Sequence, residues 1–441
     1  MSEPNTQTMA PDGPIEVTIE RYADQGRCVA HVDGRVVFVR FALPGERVLI
    51  RLDQPARAND RFWTGETVDV LQANADRVAP PWPLAGPLAQ GGGVGGADLI
   101  HVSLDGQTRW KSALIAEQMR RLGHVDVPVP VMRVEDADAP DGLHWRTRIE
   151  LIADEDGRAS MRRRESHARV PLDGMPLATR RALDVADRVN LWEASFAPGA
   201  KIRLSVPEVR ADAPLTQSDD DFALIVDGKV KDGSPLLHES VDVDGSRFDY
   251  QVDAAGFWQV HRLAPPTLAS HVIAEACRIL AGNDHGVIWD LYSGSGLFTL
   301  PLASLCAPRG RMLAIEGARE AVANAKANVA AAGLDHVIEM TGDVARTLRH
   351  VPNAVSRPDL VVLDPPRAGA RRQVCQSIAQ SGAPAVVYIA CDPTSLARDT
   401  ATLAGLGYQP ERVQAFDIYP MTHHVETVAT FVRRQSPEGR A

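Results

Sequence analysis

The chain has 441 residues, 44% of them hydrophobic and 24% charged, a balance that supports two or three cores and excludes a disordered or fibrous protein. No apolar stretch approaches the roughly 20 residues needed to cross a bilayer, and Met1 to Pro14 has neither a basic start nor an apolar run, so a cytoplasmic protein is expected. The net charge of -10 opposes phosphate-rich partners as a sum, although its distribution along the chain is uneven.

From Ile15 to about Val70, short alternating runs are broken by Gly26, Asp33-Gly34 and Leu43-Pro44-Gly45-Glu46. This pattern predicts a small β-barrel with no long helix. Pro80-Pro81-Trp82-Pro83 and the glycine run from Gly91 to Gly96 mark a linker or irregular loop. The middle part, His101 to Asp253, opens with a helical pattern over Arg109 to Leu122 and continues as mixed strands and turns. Arg146, Arg148, Arg158, Arg162-Arg163-Arg164 and Arg169 crowd its first half, while Asp212 to Asp253 is rich in Asp. A basic face for nucleic acid and a solvated surface interleaved with Glu150, Asp154 and Glu165 are equal readings of those arginines.

Beyond Gly256 the pattern becomes strand and helix in alternation. Val287 to Asp290, Met312 to Glu316, Val337 to Met340, Leu360 to Asp364 and Ala385 to Ala390 are short apolar runs separated by helical segments, one of which, Ala318 to Ala332, ends at Gly333. The alternation predicts an α/β fold with a doubly wound sheet. Two more strands, around Arg412 to Ile418 and Val425 to Val432, follow the last helix, Ser395 to Ala404, and are expected to close the sheet as a hairpin.

Chemistry-bearing residues gather at the predicted carboxyl ends of these strands. In Asp290-Leu291-Tyr292-Ser293-Gly294-Ser295-Gly296 the glycines let backbone approach a nucleotide, and Thr299 stands where a dinucleotide fingerprint would carry its third glycine. Glu316 ends the next strand, where an acid accepts hydrogen bonds from ribose hydroxyls, and Asp343 after the third strand is placed to meet an adenine amino group. A tight turn with solvent-facing acids is the bland alternative. Asp364-Pro365-Pro366-Arg367 ends the fourth strand, and Cys391, followed by Asp392-Pro393, ends the fifth. A lone cysteine is more often packing than nucleophile. Glu426 is the late carboxylate that would serve as a base. The five cysteines, Cys28, Cys277, Cys306, Cys375 and Cys391, have no short metal spacing, and their odd number argues against a disulfide framework.

Taken together, Phe257-Trp258-Gln259-Val260, Asp290 to Leu300, Ile315-Glu316, Asp364 to Arg367, Tyr388 to Pro393 with Leu396-Ala397-Arg398-Asp399, and Asp417 to Glu426 resemble, in the same order, the RNA uracil-5-methyltransferase family. Gly26 to Ala30 with Asp33-Gly34 and Phe41 to Glu46 are similar to the TRAM domain, an OB-like RNA-binding barrel that begins many members. The resemblance implies S-adenosyl-L-methionine as cofactor, RNA (tRNA or rRNA) as partner, and formation of 5-methyluridine. It assigns Cys391 as the nucleophile that adds to uracil carbon 6 and Glu426 as the proton acceptor. It assigns the methyl donor to Gln259, Tyr292, Glu316 and Asp364, with Gln259 and Asp364 also near the uracil, alongside Gly294, Gly296 and Asp343 from the loop reading. The implied division is a TRAM-like barrel over residues 12–72, a central α+β domain over 98–254 and a Rossmann-like methyltransferase domain over 255–441.

Three departures from the family pattern matter. Many relatives hold an iron-sulfur cluster on four cysteines, but the corresponding stretches here, Pro81-Trp82-Pro83, Val94-Gly95-Gly96-Ala97 and Gly174-Met175-Pro176, carry none, so no cluster and no metal is expected. Asp392 replaces the asparagine usual after the nucleophile, and its carboxylate is expected to oppose ionisation of the thiol unless it points away. His261 replaces the asparagine usual two residues beyond the glutamine, while His423 and His424 near Glu426 are expected to be satisfied loop residues rather than partners of the base. Two other readings are a methyltransferase of another base or small molecule, and a non-catalytic RNA-binding protein.

Overall fold

A computed structural model of the chain describes residues 13–434, apart from 55, 58–59, 135, 138, 209–219, 282 and 284. The polar start Met1 to Asp12 and the acidic residues Asp212 and Asp219 lie outside the described residues. The chain divides into two compact units, one of residues 1–114, 160–171 and 419–424, the other of 115–159, 172–418 and 425–441.

The first unit is built on a six-stranded, barrel-like sheet in the order Ile15–Thr18, Arg47–Leu52, Trp63–Gln72, Arg35–Arg40, Arg27–Val32, Arg21–Tyr22. All pairings are antiparallel except that of Arg35–Arg40 with Trp63–Gln72. Alternation puts Cys28, Ala30, Val37, Val39, Val48 and Ile50 into one core with Leu99, Val102 and Trp110. The Leu43 to Glu46 turn is fixed by the fully buried Glu46 carboxylate, which accepts from Leu43 N at 2.8 Å and from the Arg77 guanidinium at 2.6 Å on each oxygen. A buried carboxylate is tolerable when it is paired and hydrogen-bonded in this way. Gly26, at φ +67, is required because a Cβ there would stand 2.6 Å from the Asp98 side chain.

The helix expected from Arg109 begins earlier and spans Leu104–Arg121. Asp105-Gly106 reads as a turn in the sequence, but the Ser103 hydroxyl accepts from Gly106 N at 3.1 Å and starts the helix there.

The second unit carries an eight-stranded sheet in the order Val337–Thr341, Arg311–Glu316, Val287–Leu291, Leu360–Leu363, Ala385–Ala390, Glu426–Arg433, Tyr408–Asp417, Val131–Arg133. The first five strands are parallel. Leu360–Leu363 and Ala385–Ala390 are wholly buried, as strands covered on both faces must be, and their continuous apolar sequence follows from that. The expected closing hairpin is present, with Glu426–Arg433 antiparallel to both Ala385–Ala390 and Tyr408–Asp417. The helix read as Ala318 to Ala332 spans Arg319–Ala331, and the last one spans Pro393–Gly405. The order in which successive strands are added to the sheet reverses between Val287–Leu291 and Leu360–Leu363, and open α/β sheets bind ligands beyond the carboxyl ends of strands at such a switch point.

A second antiparallel sheet in this unit comprises Arg148–Ala153, Lys201–Ser205, Ala223–Val226 and Lys229–Gly233, and the hairpin of Leu236–Val243 with Ser246–Asp253 follows it. Among the described residues no helix is long and apolar enough to cross a membrane.

Candidate active site at the carboxyl edge of the sheet

Asp290, next to last in the strand Val287–Leu291, is fully buried, and its Oδ2 accepts from the Thr299 hydroxyl at 2.6 Å. Burial pushes this carboxyl up to about 7, against the Thr299 bond, which lowers it, and with a smaller push from Glu316. Thr299 is therefore the residue that orients Asp290, a role the sequence reading missed because Thr299 stood out only as an absent glycine. Oδ1 of Asp290 is buried with no hydrogen-bond partner among the described residues.

The loop that follows needs its glycines. Tyr292 stands at φ +64, Gly294 at φ +55 and Gly296 at φ +97, and the position a Cβ would take at Gly294 faces open space. Glu316, expected to face ribose hydroxyls, accepts from Gly294 N at 3.1 Å with one oxygen and from Ala318 N at 2.7 Å with the other, so it closes the loop as well as lining it. Asp343 caps the short helix Val344–Thr347, accepting from Arg346 N at 3.0 Å. That bond engages Oδ1 of the residue expected to meet an adenine amino group.

Gln259 is 5% exposed, and its Oε1 is buried without a partner among the described residues. Beside it the Trp258 ring lies 5.2 Å from Tyr250, whose hydroxyl donates to Leu297 O at 3.0 Å at the start of the helix after the glycine loop. Phe257, in contrast, is 73% exposed. His261 is buried, stacked 5.5 Å from Trp145, with Nδ1 accepting from Leu263 N at 3.0 Å. Burial holds the ring neutral, with its pKa lowered to about 3, so Nε2 carries the proton.

Asp364 follows Leu363 at the switch point, and burial, then Asp290, then Glu316 push its carboxyl up to about 7. Cys391 is half-buried at the end of the next strand. Burial pushes the thiol up to about 12, helped by Glu426, Asp364 and, least, Asp392, while Arg367 pulls it down. Glu426 is buried and begins the strand that pairs antiparallel with Ala385–Ala390, the strand that precedes Cys391. The pairing ends at Ala390 opposite Thr427, so Cys391, just after one strand, and Glu426, at the start of the other, lie at the same end of the pair, where the Glu426 carboxylate raises the thiol pKa.

The concern over Asp392 is answered by its geometry. Its carboxylate accepts from Ser395 N at 2.6 Å as the cap of Pro393–Gly405, turned into the helix that follows. Burial and Glu426, not the sequence neighbour, are the main opponents of the thiolate. His423 bonds to Asp98 at 2.6 Å in the first unit and is satisfied as a loop residue.

The arginine-rich segment is not one basic face. Arg148 is buried against Glu239 at 3.0 Å, and Arg146 turns back onto the Arg148 carbonyl at 2.8 Å. In the first unit Arg164 donates to the carbonyls of Ala85 at 2.8 Å, Val94 at 2.6 Å and Gly86 at 2.6 Å, and lies 4.5 Å over the Phe41 ring. Arg158 and Arg162 are exposed. Among the described residues no group of three or more His, Cys, Asp or Glu side chains is placed to hold a metal ion.

The chain is similar to known proteins over nearly its whole length. Residues 227–434 match the model of the tRNA (uracil-5-)-methyltransferase family, and residues 14–59 match the TRAM domain. An uncharacterized RNA methyltransferase of Bifidobacterium longum is 61% identical over 98% of this chain and 100% of its own. The 23S rRNA (uracil(1939)-C(5))-methyltransferase RlmD of Halomonas elongata is 30% identical over 95% of this chain and 89% of its own. The fold is shared with Pyrococcus abyssi tRNA (uracil-54, C5)-methyltransferase, solved in complex with S-adenosyl-L-homocysteine, at a TM-score of 0.64 and 21% identity over 95% of this chain and 100% of that one.

Proposed function

This chain belongs to the RNA uracil-5-methyltransferase family, whose members depend on S-adenosyl-L-methionine, and we propose that it forms 5-methyluridine in RNA through covalent addition of Cys391 to the target uracil. The observation that carries this reading is the convergence of Cys391, Glu426 and Asp364 at one end of the sheet, with the last paired rung at Ala390 and Thr427 and both carboxylates acting on the thiol.

The residues present fit the cofactor. Asp290 Oδ1 and Gln259 Oε1 are buried acceptors that lack a donor among the described residues, and a nucleoside supplies hydroxyl and amino donors. The open space over Gly294 admits a ligand close to the backbone. Tyr292, Glu316, Asp343 and Asp364 surround the same edge, with Asp343 offering only the oxygen its helix does not use. When bound, S-adenosyl-L-methionine supplies an electrophilic methyl group. Carbon 5 of uracil is too weak a nucleophile to take it directly. The Cys391 thiolate adds to carbon 6, and the electron pair released into the ring makes carbon 5 nucleophilic. After methylation the Glu426 carboxylate takes the carbon 5 proton, the carbon 6–sulfur bond breaks, and its electron pair leaves with the thiolate. Arg367 is the cation that favours the thiolate against its carboxylate neighbours.

A uracil stacked in a helix hides both carbons, so the target must be unpaired or flipped out. We assign RNA capture to the barrel over residues 12–72, chemistry to residues 255–441, and a supporting role to the central residues 98–254. Of the arginine-rich segment, the exposed Arg162 is the candidate for phosphate, whereas Arg158, also exposed, pairs with Asp173 at 2.8 Å and Arg148 and Arg164 are committed to the fold. The stretch that holds an iron-sulfur cluster in many relatives is here held by Arg164.

Mapping 5-methyluridine in RNA from cells lacking the gene, restored with wild-type or Cys391→Ala protein, tests the reading. Wild type restores one modified uridine and the variant none. Failure of both to change any uridine sinks the activity, and rescue by Cys391→Ala removes Cys391 as the nucleophile.

A further inference from the structure

A second set of buried polar residues ties together the elements that flank Cys391. Asp399 lies in the helix Pro393–Gly405 that follows Cys391 and is 5% exposed. Its Oδ2 accepts from Ala370 N at 2.7 Å, from Arg371 N at 3.2 Å and from the Tyr388 hydroxyl at 2.7 Å. The Tyr388 oxygen itself accepts from Ala370 N at 3.0 Å. Tyr388 stands on the strand Ala385–Ala390 that immediately precedes Cys391, and Ala370 and Arg371 close the loop that starts at Asp364 and carries Arg367.

The backbone is shaped around this carboxylate. A Cβ on Gly369, at φ +76, would stand 2.5 Å from Asp399 Oδ2, and Arg371 takes φ +66, a conformation rare outside glycine. The first N–H groups of Arg371–Ser381 are thus satisfied by a side chain from another helix rather than by a cap of their own.

We propose that Asp399, with Tyr388, is a positioning residue for the reaction: it straps the Asp364 to Arg371 loop to the segment that carries Cys391 and so fixes Arg367 against the thiol. This rests on the reading of Cys391 as nucleophile. The charged groups that act on that thiol are, largest first, Glu426 from the paired strand, Asp364 and Arg367 from the strapped loop, and Asp392, whose carboxylate is turned into its own helix. Of these Arg367 is the cation, and it sits on the part of the loop between Asp364 and the strap. Releasing the strap lets Arg367 move away and leaves three carboxylates to oppose ionisation.

The test is the pH dependence of Cys391 alkylation by iodoacetamide in the full chain, followed on the Cys391 peptide by mass spectrometry, for Asp399→Ala, Asp399→Asn, Tyr388→Phe and Arg367→Gln. Asp399→Ala should displace the alkylation profile to higher pH, as Arg367→Gln does, and lower kcat by about tenfold or more with KM for RNA changed less than about twofold. Asp399→Asn keeps an acceptor oxygen and should recover part of both. Tyr388→Phe should move the profile in the same direction by a smaller amount. An unmoved profile in the Asp399 and Tyr388 variants overturns the proposal, even if activity falls, because a purely structural residue would give that result. Should Asp399→Ala fail to fold, Asp399→Asn and Tyr388→Phe decide the question. Methylation by Cys391→Ala protein would overturn the nucleophile reading instead, and the alkylation profiles do not depend on that activity.

Discussion

Cys391 and Glu426 flank the last paired rung of their two strands, Ala390 with Thr427, and the Glu426 carboxylate raises the pKa of the Cys391 thiol. The antiparallel hairpin that closes the sheet therefore brings a carboxylate to the end of the strand that precedes Cys391. If Glu426 acts on the carbon 5 proton, its loss blocks release rather than addition. Glu426→Gln should accumulate a covalent, methylated protein–RNA adduct on a denaturing gel, with turnover reduced about a hundredfold or more. Cys391→Ala should form none. Loss of turnover in Glu426→Gln without any adduct would place Glu426 before the covalent step.

Asp392 is a helix cap whose carboxylate is spent on Ser395 N. Asn caps a helix about as well as Asp, so Asp392→Asn should change stability by no more than a few tenths of a kcal/mol and turnover by no more than about threefold. Asp392→Ala should cost about 1 kcal/mol in denaturant unfolding. A large gain in turnover for Asp392→Asn would show that the carboxylate does burden the thiol.

Asp290 and Asp364 are both pushed up to about 7 by burial. In the unfolded chain they titrate near the ordinary value of about 4. Folded-state pKa values above the unfolded ones mean stability that is fully present below about 4 and lost as pH rises through about 7. The ligand-free protein should therefore gain melting temperature from these groups as pH falls from 8 towards 5. Asp290→Asn, which removes one titration, should flatten that slope, and an unchanged slope would contradict the raised values.

Arg164 satisfies three backbone carbonyls of the loop that includes Ala85, Gly86 and Val94. Arg164→Met keeps much of the stem but strands those acceptors. A loss of about 2–4 kcal/mol is expected, read as a lower denaturant midpoint. A change within about 0.5 kcal/mol would show that water replaces the guanidinium at little cost.

Much of the site was legible in the sequence because its residues sit at fixed places relative to strand ends. Asp290, Glu316, Asp364 and Cys391 each end an apolar run, and parallel strands separated by helices must all present those ends at one edge. The glycine loop was legible because a positive φ at Gly294 and Gly296 demands that residue type. Even the helical and barrel segments followed from periodicity, with the early start at Ser103 hidden by Asp105-Gly106.

Other features depend on which groups end up adjacent, and no spacing along the chain encodes that. Thr299 on Asp290, Asp399 on the loop of Arg367 and the burial of Arg148 and Arg164 arise from contacts between residues distant in sequence. The direction of the Asp392 carboxylate was decided by the free N–H of Ser395, a helix-end donor that needs an acceptor. Composition and period determined that this chain folds into a barrel-like sheet and a doubly wound sheet with its chemistry at one edge. Only tertiary packing decided how far each charge is buried and which partner it meets, because desolvation and Coulomb energy depend on distances in space.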